Sequence, residues 1–179
     1  MLTHAERELA RRVRDCAYLE GDFVLRSGRR SPYYLDKYRF ETQPDLLGPI
    51  GQALAERARA LDPEAHRLAG PELGAVALVA AVSLASGLPF LIVRKEAKGH
   101  GTQRALEGLA YPGDRVCLIE DVVTSGGAAL AAVDALRGAG LVCERAVCVV
   151  DREEGGREAL AGQGVVLESL FRLEDIRVS

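Results

Sequence analysis

Val116-Cys117-Leu118-Ile119-Glu120-Asp121-Val122-Val123-Thr124-Ser125-Gly126-Gly127-Ala128 is the stretch that decides the fold. Val116–Ile119 is continuously apolar and reads as a buried strand. Two acids follow, then a small-residue turn, then a helix start at Gly127. The turn residues lack bulk, so several backbone N–H groups can converge on one anion. The helix N-terminus adds the positive end of its dipole. Thr124 and Ser125 add hydroxyl donors, and there is no Walker lysine. The acids cannot favour a phosphate directly. They suit ribose hydroxyls, which donate hydrogen bonds, or a hydrated Mg²⁺. An anion cup beside two hydroxyl acceptors describes a ribose 5-phosphate site. The simpler alternative is a capped helix after a tight turn. Two consecutive acids at the end of a buried strand weigh against it, because carboxylates near a core need partners.

The flanking chain repeats the same grammar. Residues 67–70, 90–93, 146–150 and 165–170 are further apolar strands. Residues 73–86, 127–137 and 157–161 are helices, the second with Leu130, Val133 and Leu136 inward and Gly138 and Gly140 as its stop. Continuously apolar strands imply a sheet covered on both faces. The expected fold class is therefore α/β, with a doubly wound, mostly parallel central sheet flanked by helices. Such sheets bind ligands beyond the carboxyl ends of their strands. The first 40 residues differ. Thr3 and Glu6 fit a capping box for a helix over 3–19. Phe23–Leu25 and Tyr33–Leu35 flank a Gly/Arg/Ser/Pro turn and read as a hairpin. Pro44 then opens a helix with Leu47, Ile50, Leu54 and Leu61 on one face. The expected organisation is one domain over 1–179, with a small N-terminal hood over 1–40 and a core over 62–179.

A length of 179 residues suits one domain with a sizeable core. The net charge of −3 argues against bulk nucleic-acid binding, which uses a basic face. No apolar run approaches the ~18–20 residues of a membrane span. Met1–Leu19 is rich in Arg and Glu and does not read as a signal peptide. Cys16, Cys117, Cys143 and Cys148 form no CxxC and read as small buried hydrophobes in a reducing cytoplasm. Lysine is scarce, at three residues, and two of them, Lys95 and Lys98, share one short segment.

That segment runs Arg94-Lys95-Glu96-Ala97-Lys98-Gly99-His100-Gly101-Thr102-Gln103-Arg104 after strand 90–93. A parallel crossover normally spends such a span on a helix. Here Gly99, Gly101, Gly108, Pro112 and Gly113 break any helical pattern, so the span reads as a connection without a packed element. Arg94, Lys95, Lys98, His100 and Arg104 make it cationic. It is either a solvated basic loop or a lid that closes over a polyanion and stabilises developing negative charge.

Residues 116–128 resemble the phosphoribosyl-diphosphate-binding motif of type I phosphoribosyltransferases. Competing nucleotide motifs are absent: there is no GxxxxGK[ST], no complete GxGxxG and no HExxH. The Arg-Lys-x-x-Lys-x-His spacing at 94–100 resembles the flexible loop of the orotate-specific branch of that family. Leu25–Tyr34, Gly70-Pro71-Glu72-Leu73-Gly74 and Asp151–Gly156 resemble its N-terminal, diphosphate-side and base-side stretches. Some members carry Lys where Arg26 stands, and some carry a Tyr-Lys pair in the diphosphate loop, where this chain has Glu72-Leu73.

The resemblance implies Mg²⁺-dependent transfer of ribose 5-phosphate from 5-phospho-α-D-ribose 1-diphosphate to orotate, in UMP synthesis. It implies that Arg94, Lys95, Lys98, His100, Glu120, Asp121, Val122, Val123, Thr124, Ser125, Gly126, Gly127 and Ala128 hold the sugar diphosphate. Lys98, His100, Glu120 and Asp121 would carry catalysis, and Arg26, Tyr34, Leu35, Thr124 and Arg152 would hold orotate. Mg²⁺ would be held mainly by substrate oxygens, with Asp121 acting through water and no direct protein ligand. The implied assembly is a cytoplasmic homodimer with shared active sites, Lys95 reaching the neighbour's site, and neither nucleic acid nor membrane as partner. Alternatives are a transferase for another base, and a regulator that binds phosphoribosyl diphosphate without turnover.

Overall fold

The computed structural model of the chain describes residues 2–24, 28, 30–95 and 105–178. Helix α1 spans His4–Ala17, and its first turn is closed by the expected capping box between Thr3 and Glu6. The hairpin follows at once, with β1 at Tyr18–Val24 and β2 at Arg30–Leu35 paired antiparallel. Helix α1 thus stops two residues short of the expected 19, because Tyr18 and Leu19 pair with Leu35 and Tyr34 instead. A five-residue helix that periodicity could not show, α2 at Lys37–Glu41, leads into α3 at Pro44–Leu61, which opens on its proline.

The core is a six-stranded sheet. Strands β3 (Arg67–Pro71), β4 (Phe90–Val93), β5 (Leu106–Glu107), β6 (Arg115–Val123), β7 (Val142–Asp151) and β8 (Val166–Arg172) lie in the order β5-β4-β3-β6-β7-β8. All pairs are parallel except β4 with β5. That exception corrects the expectation of an element-free connection after β4. Ile92 and Val93 pair with Glu107 and Leu106, so the chain turns back along the sheet edge before crossing to β6.

Helices α4 (Ala75–Ser86), α5 (Gly127–Gly138), α6 (Gly156–Gly162) and α7 (Leu173–Val178) complete the fold. Alternation along a strand sends successive side chains to opposite faces. Cys117 and Ile119 of β6, with Val147 and Val149 of β7, join one core with α1, α3 and α4. Val116 and Leu118, with Ala146 and Cys148, join a second core with α5 and α6. Both faces are dry, which is why the strands read as unbroken apolar runs. Helices α3 and α4 pack closely: a Cβ on Gly51 would stand 2.7 Å from that of Ala81. Cys117, Cys143 and Cys148 are free and buried in these cores, and Cys16 is half-buried.

Candidate functional site

Strand β6 runs to Val123, so Glu120 and Asp121 belong to the strand itself and not to the turn after it. The turn Thr124–Gly126 then delivers the chain to α5. Gly126 occupies the N-cap position at φ 82°, a conformation that favours glycine, and no side chain among the described residues caps the helix. The first N–H groups of a helix have no partner within it. Here they are left to whatever occupies the cup, and the space beside Gly127 is open. The turn is braced from behind by α6. A Cβ on Gly156 would lie 2.5 Å from the Thr124 carbonyl oxygen and from Val123 Cγ1. The reciprocal contact, a Cβ on Gly126, would come within 3.1 Å of Gly156 Cα.

A cavity of ≈ 750 Å³ opens in front of this turn. Thr124, Ser125, Gly127 and Ala128 form one wall, Arg94 and Lys95 a second, and Pro71 and Glu72 a third. Glu72 ties the last two together. Its carboxylate accepts the Lys95 N–H at 2.8 Å and lies 3.9 Å from the Arg94 guanidinium, which is 3.8 Å from Glu107 on the other side. Sequence reasoning gave Glu72 no charged role. Arg26, Lys98 and His100, expected in the site, lie outside the described residues.

The two acids lie on β6 just before this turn and are not among the residues lining the cavity. Glu120 is buried, and its Oε1 has no hydrogen-bond partner among the described residues. Burial, aided by the Asp121 charge, pushes its carboxyl up to about 8. Asp121, also buried, faces the hood. Its Oδ2 accepts the Lys37 ammonium at 2.5 Å, and its Oδ1 accepts the Val122 N–H at 2.5 Å. One helical turn from Lys37, Glu41 is buried against the same carboxylate. Burial, the Asp121 charge and a hydrogen bond to Asp121 push Glu41 up to about 8 as well. Three carboxyl groups around one ammonium cannot all be charged at neutral pH without large cost. Lys37 and Glu41 were not legible as site residues, because lysine scarcity pointed to Lys95 and Lys98 instead.

Past the turn, β7 delivers Arg152 just beyond its end, where its N–H bonds to the Val123 carbonyl. Its guanidinium is mostly buried, donates to the Tyr33 hydroxyl at 3.0 Å and pairs with Glu154 at 2.8 Å. Its buried Nε has no partner among the described residues. Tyr33 is held by stacking on Tyr18, with ring centroids 5.3 Å apart. Tyr34 is partly exposed and packs on Phe23, while the Leu35 side chain lies in the core, leaving only its backbone for a ligand. Among the described residues, no group of three or more His, Cys, Asp or Glu side chains is arranged to hold a metal, and no helix is long and apolar enough to cross a membrane.

A profile of the phosphoribosyl transferase domain matches residues 39–170. An orotate phosphoribosyltransferase of Methanocella arvoryzae is 49% identical over 156 residues, 87% of each chain. A crystal structure of the Mycobacterium tuberculosis orotate phosphoribosyltransferase superposes with a TM-score of 0.85 at 35% identity, covering 96% of this chain and 98% of the other. Another crystal structure of the Mycobacterium tuberculosis enzyme, in complex with 5-phospho-α-D-ribosyl 1-diphosphate, gives 0.82 at 31% identity, with coverage of 97% and 99%.

Proposed function

The chain belongs to the phosphoribosyl transferase family, and we infer that it is an enzyme that transfers ribose 5-phosphate from 5-phospho-α-D-ribose 1-diphosphate to orotate. The products are orotidine 5′-phosphate and diphosphate, a step of UMP synthesis. The observation that carries the inference is the uncapped N-terminus of α5 behind Thr124–Gly126, directly after two buried acids. In this reading the sugar's 5-phosphate takes the N–H groups of Thr124–Ala128. Its hydroxyls meet Glu120 and Asp121, and the Asp121 charge offsets that building at the anomeric carbon. The bond from C1 to the diphosphate oxygen breaks as N1 of orotate bonds to C1, and the N1 proton leaves with the diphosphate or to water. No covalent nucleophile is needed, so the protein's work is positioning and charge stabilisation. Arg94, Lys98 and His100 neutralise the departing diphosphate.

The base pocket draws on Arg26, Thr124, Tyr34, the Leu35 backbone and Arg152. A buried guanidinium with an unpartnered Nε supports pairing with the orotate carboxylate. The donor set also fits Mg²⁺ arriving with the substrate. Mg²⁺ is held by one or two carboxylates plus substrate phosphates, and the unpartnered Glu120 Oε1 beside Asp121 offers acceptors for its water shell. When bound, the ion neutralises diphosphate charge. A homodimer is supported by α4, which carries no charged side chain and leaves Leu84 89% exposed, with Leu73 exposed just before it. Lys95 would then reach the neighbour's site, and the setting is the cytoplasm.

The test is product formation by purified protein given orotate, phosphoribosyl diphosphate and Mg²⁺, alongside a panel of purine and pyrimidine bases. Orotidine 5′-phosphate should form, and chelation should stop it. Turnover of another base with none of orotate would reject the assignment.

A further inference from the structure

Lys37 has no part in the roles given above, yet its ammonium reaches from α2 to Asp121 and to the loop that ends at Gly74. Its Nζ lies 2.5 Å from Asp121 Oδ2 and 2.6 Å from the point that a Cβ on Gly74 would occupy. That same Cβ would run into Asp121 Oδ2. Glycine at 74 is therefore what leaves room for the pair. Gly74 closes the loop after β3, and Pro71 and Glu72 of that loop line the cavity facing Arg94, Lys95 and the cup. The loop reads Pro71-Glu72-Leu73-Gly74, with one acid and no cation. A polyanion seated between this loop and Arg94 thus meets cations on one side and Glu72 on the other. Lys37, coming from α2, is the cation that the structure brings to the loop side.

The pair is open on its amine side. The Lys37 side chain is 33% exposed and that of Asp121 only 4%. An ammonium carries three N–H donors, and Asp121 takes one. We propose that Lys37 is a substrate-binding residue whose ammonium bridges Asp121 and the diphosphate group of the sugar substrate, supplying from the hood the charge that the Pro71–Gly74 loop lacks. The inference rests on the phosphoribosyl-diphosphate reading of the site, but its test needs no turnover.

Dissociation constants for inorganic diphosphate with Mg²⁺ and for ribose 5-phosphate are measured by calorimetry on the full chain. Lys37→Met should weaken diphosphate binding about tenfold or more, the loss of one charged contact, and leave ribose 5-phosphate within about twofold. Lys37→Arg should keep most of the diphosphate affinity. If Lys37→Met does not fold, Lys37→Gln retains a hydrogen bond to Asp121 without the charge and should show the same selective loss. Equal weakening of both ligands would make Lys37 a strut between hood and core, and unchanged diphosphate affinity would remove it from the site. Either result overturns the proposal. Failure of the orotate assay with the selective diphosphate loss intact would instead condemn only the choice of base.

Discussion

The cup at Thr124–Ala128 and the pocket around Asp121 occupy neighbouring residues of one strand and turn, but different forces hold them. The cup is backbone. Its donors are amides of a helix end, its shape is set by Gly126 and Gly156, and nothing in it titrates near neutral pH. The pocket is side chain. Asp121, Glu41, Glu120 and Lys37 come from the sheet and the hood, and their charges depend on one another. A site that must recognise a constant group, a phosphate, can be cast in backbone. One that must accommodate a reacting centre and a second substrate draws on groups whose charge and contacts can change.

The sharpest way to break the contrast is to deform the cup from behind. Gly156→Ala would press a Cβ against the Thr124 carbonyl, which is backbone and cannot swing aside. We expect unfolding free energy to fall by about 1–3 kcal/mol in urea denaturation, together with loss of sugar-diphosphate affinity. Gly127→Ala, pointing into open space, should leave stability within about 1 kcal/mol. Similar stability losses in both would mean that the turn is not braced by α6.

Next in size is Arg152→Ala. Charged hydrogen bonds are worth about 1.5–3 kcal/mol, so steady-state kinetics should show KM for orotate rising about 10- to 100-fold. KM for the sugar diphosphate should hold. A rise in both would mean that the Arg152 side chain holds the site together through Tyr33 and Glu154 and does not select the base.

The pocket's side-chain character has a pH signature. Glu41 and Glu120 titrate at about 8 in the fold, against 4.5 for an unburied glutamate. Between these values the folded chain binds more protons than the unfolded one, so both groups make stability fall as pH rises from about 4.5 to about 8. Glu41→Gln removes one of the two. Its urea-derived stability should decline less steeply over pH 5–8, with its advantage over the parent largest near pH 8. A slope equal to the parent's would show that Glu41 is already ionised. The smallest effect belongs to Tyr33→Phe, which keeps the ring on Tyr18 but deletes one hydrogen bond to Arg152. A cost of about 0.5–1.5 kcal/mol corresponds to a few-fold rise in KM for orotate, with little change in melting temperature.

The same contrast explains what could be read from the sequence. The strand, turn and helix start around Thr124 were legible because they are contiguous, and each signal is local. The doubly wound sheet followed from the unbroken apolar runs at 116–119 and 146–150, which the two cores on either side of β6 and β7 account for. The hood-side pocket was not legible. Lys37 meets Asp121 across 84 positions of chain, on a helix of five residues too short to show periodicity. Tyr33 reaches Arg152 across 119 positions. Glu72 looked like a departure from a pattern, and its hold on Lys95 depends on how two loops meet. Gly155-Gly156 did stand in the sequence as a doubled glycine, but only packing shows that the second carries the close approach to Thr124.

The central claim is that the sugar's phosphate is held by backbone amides and its hydroxyls by strand carboxylates. A crystal structure of the chain with ribose 5-phosphate tests it most directly. The account requires phosphate oxygens within about 3 Å of amide nitrogens in Thr124–Ala128, with the 2- and 3-hydroxyls turned toward Glu120 and Asp121. A phosphate bound instead by arginines away from the start of α5, with both acids still closed off from the sugar, would contradict it.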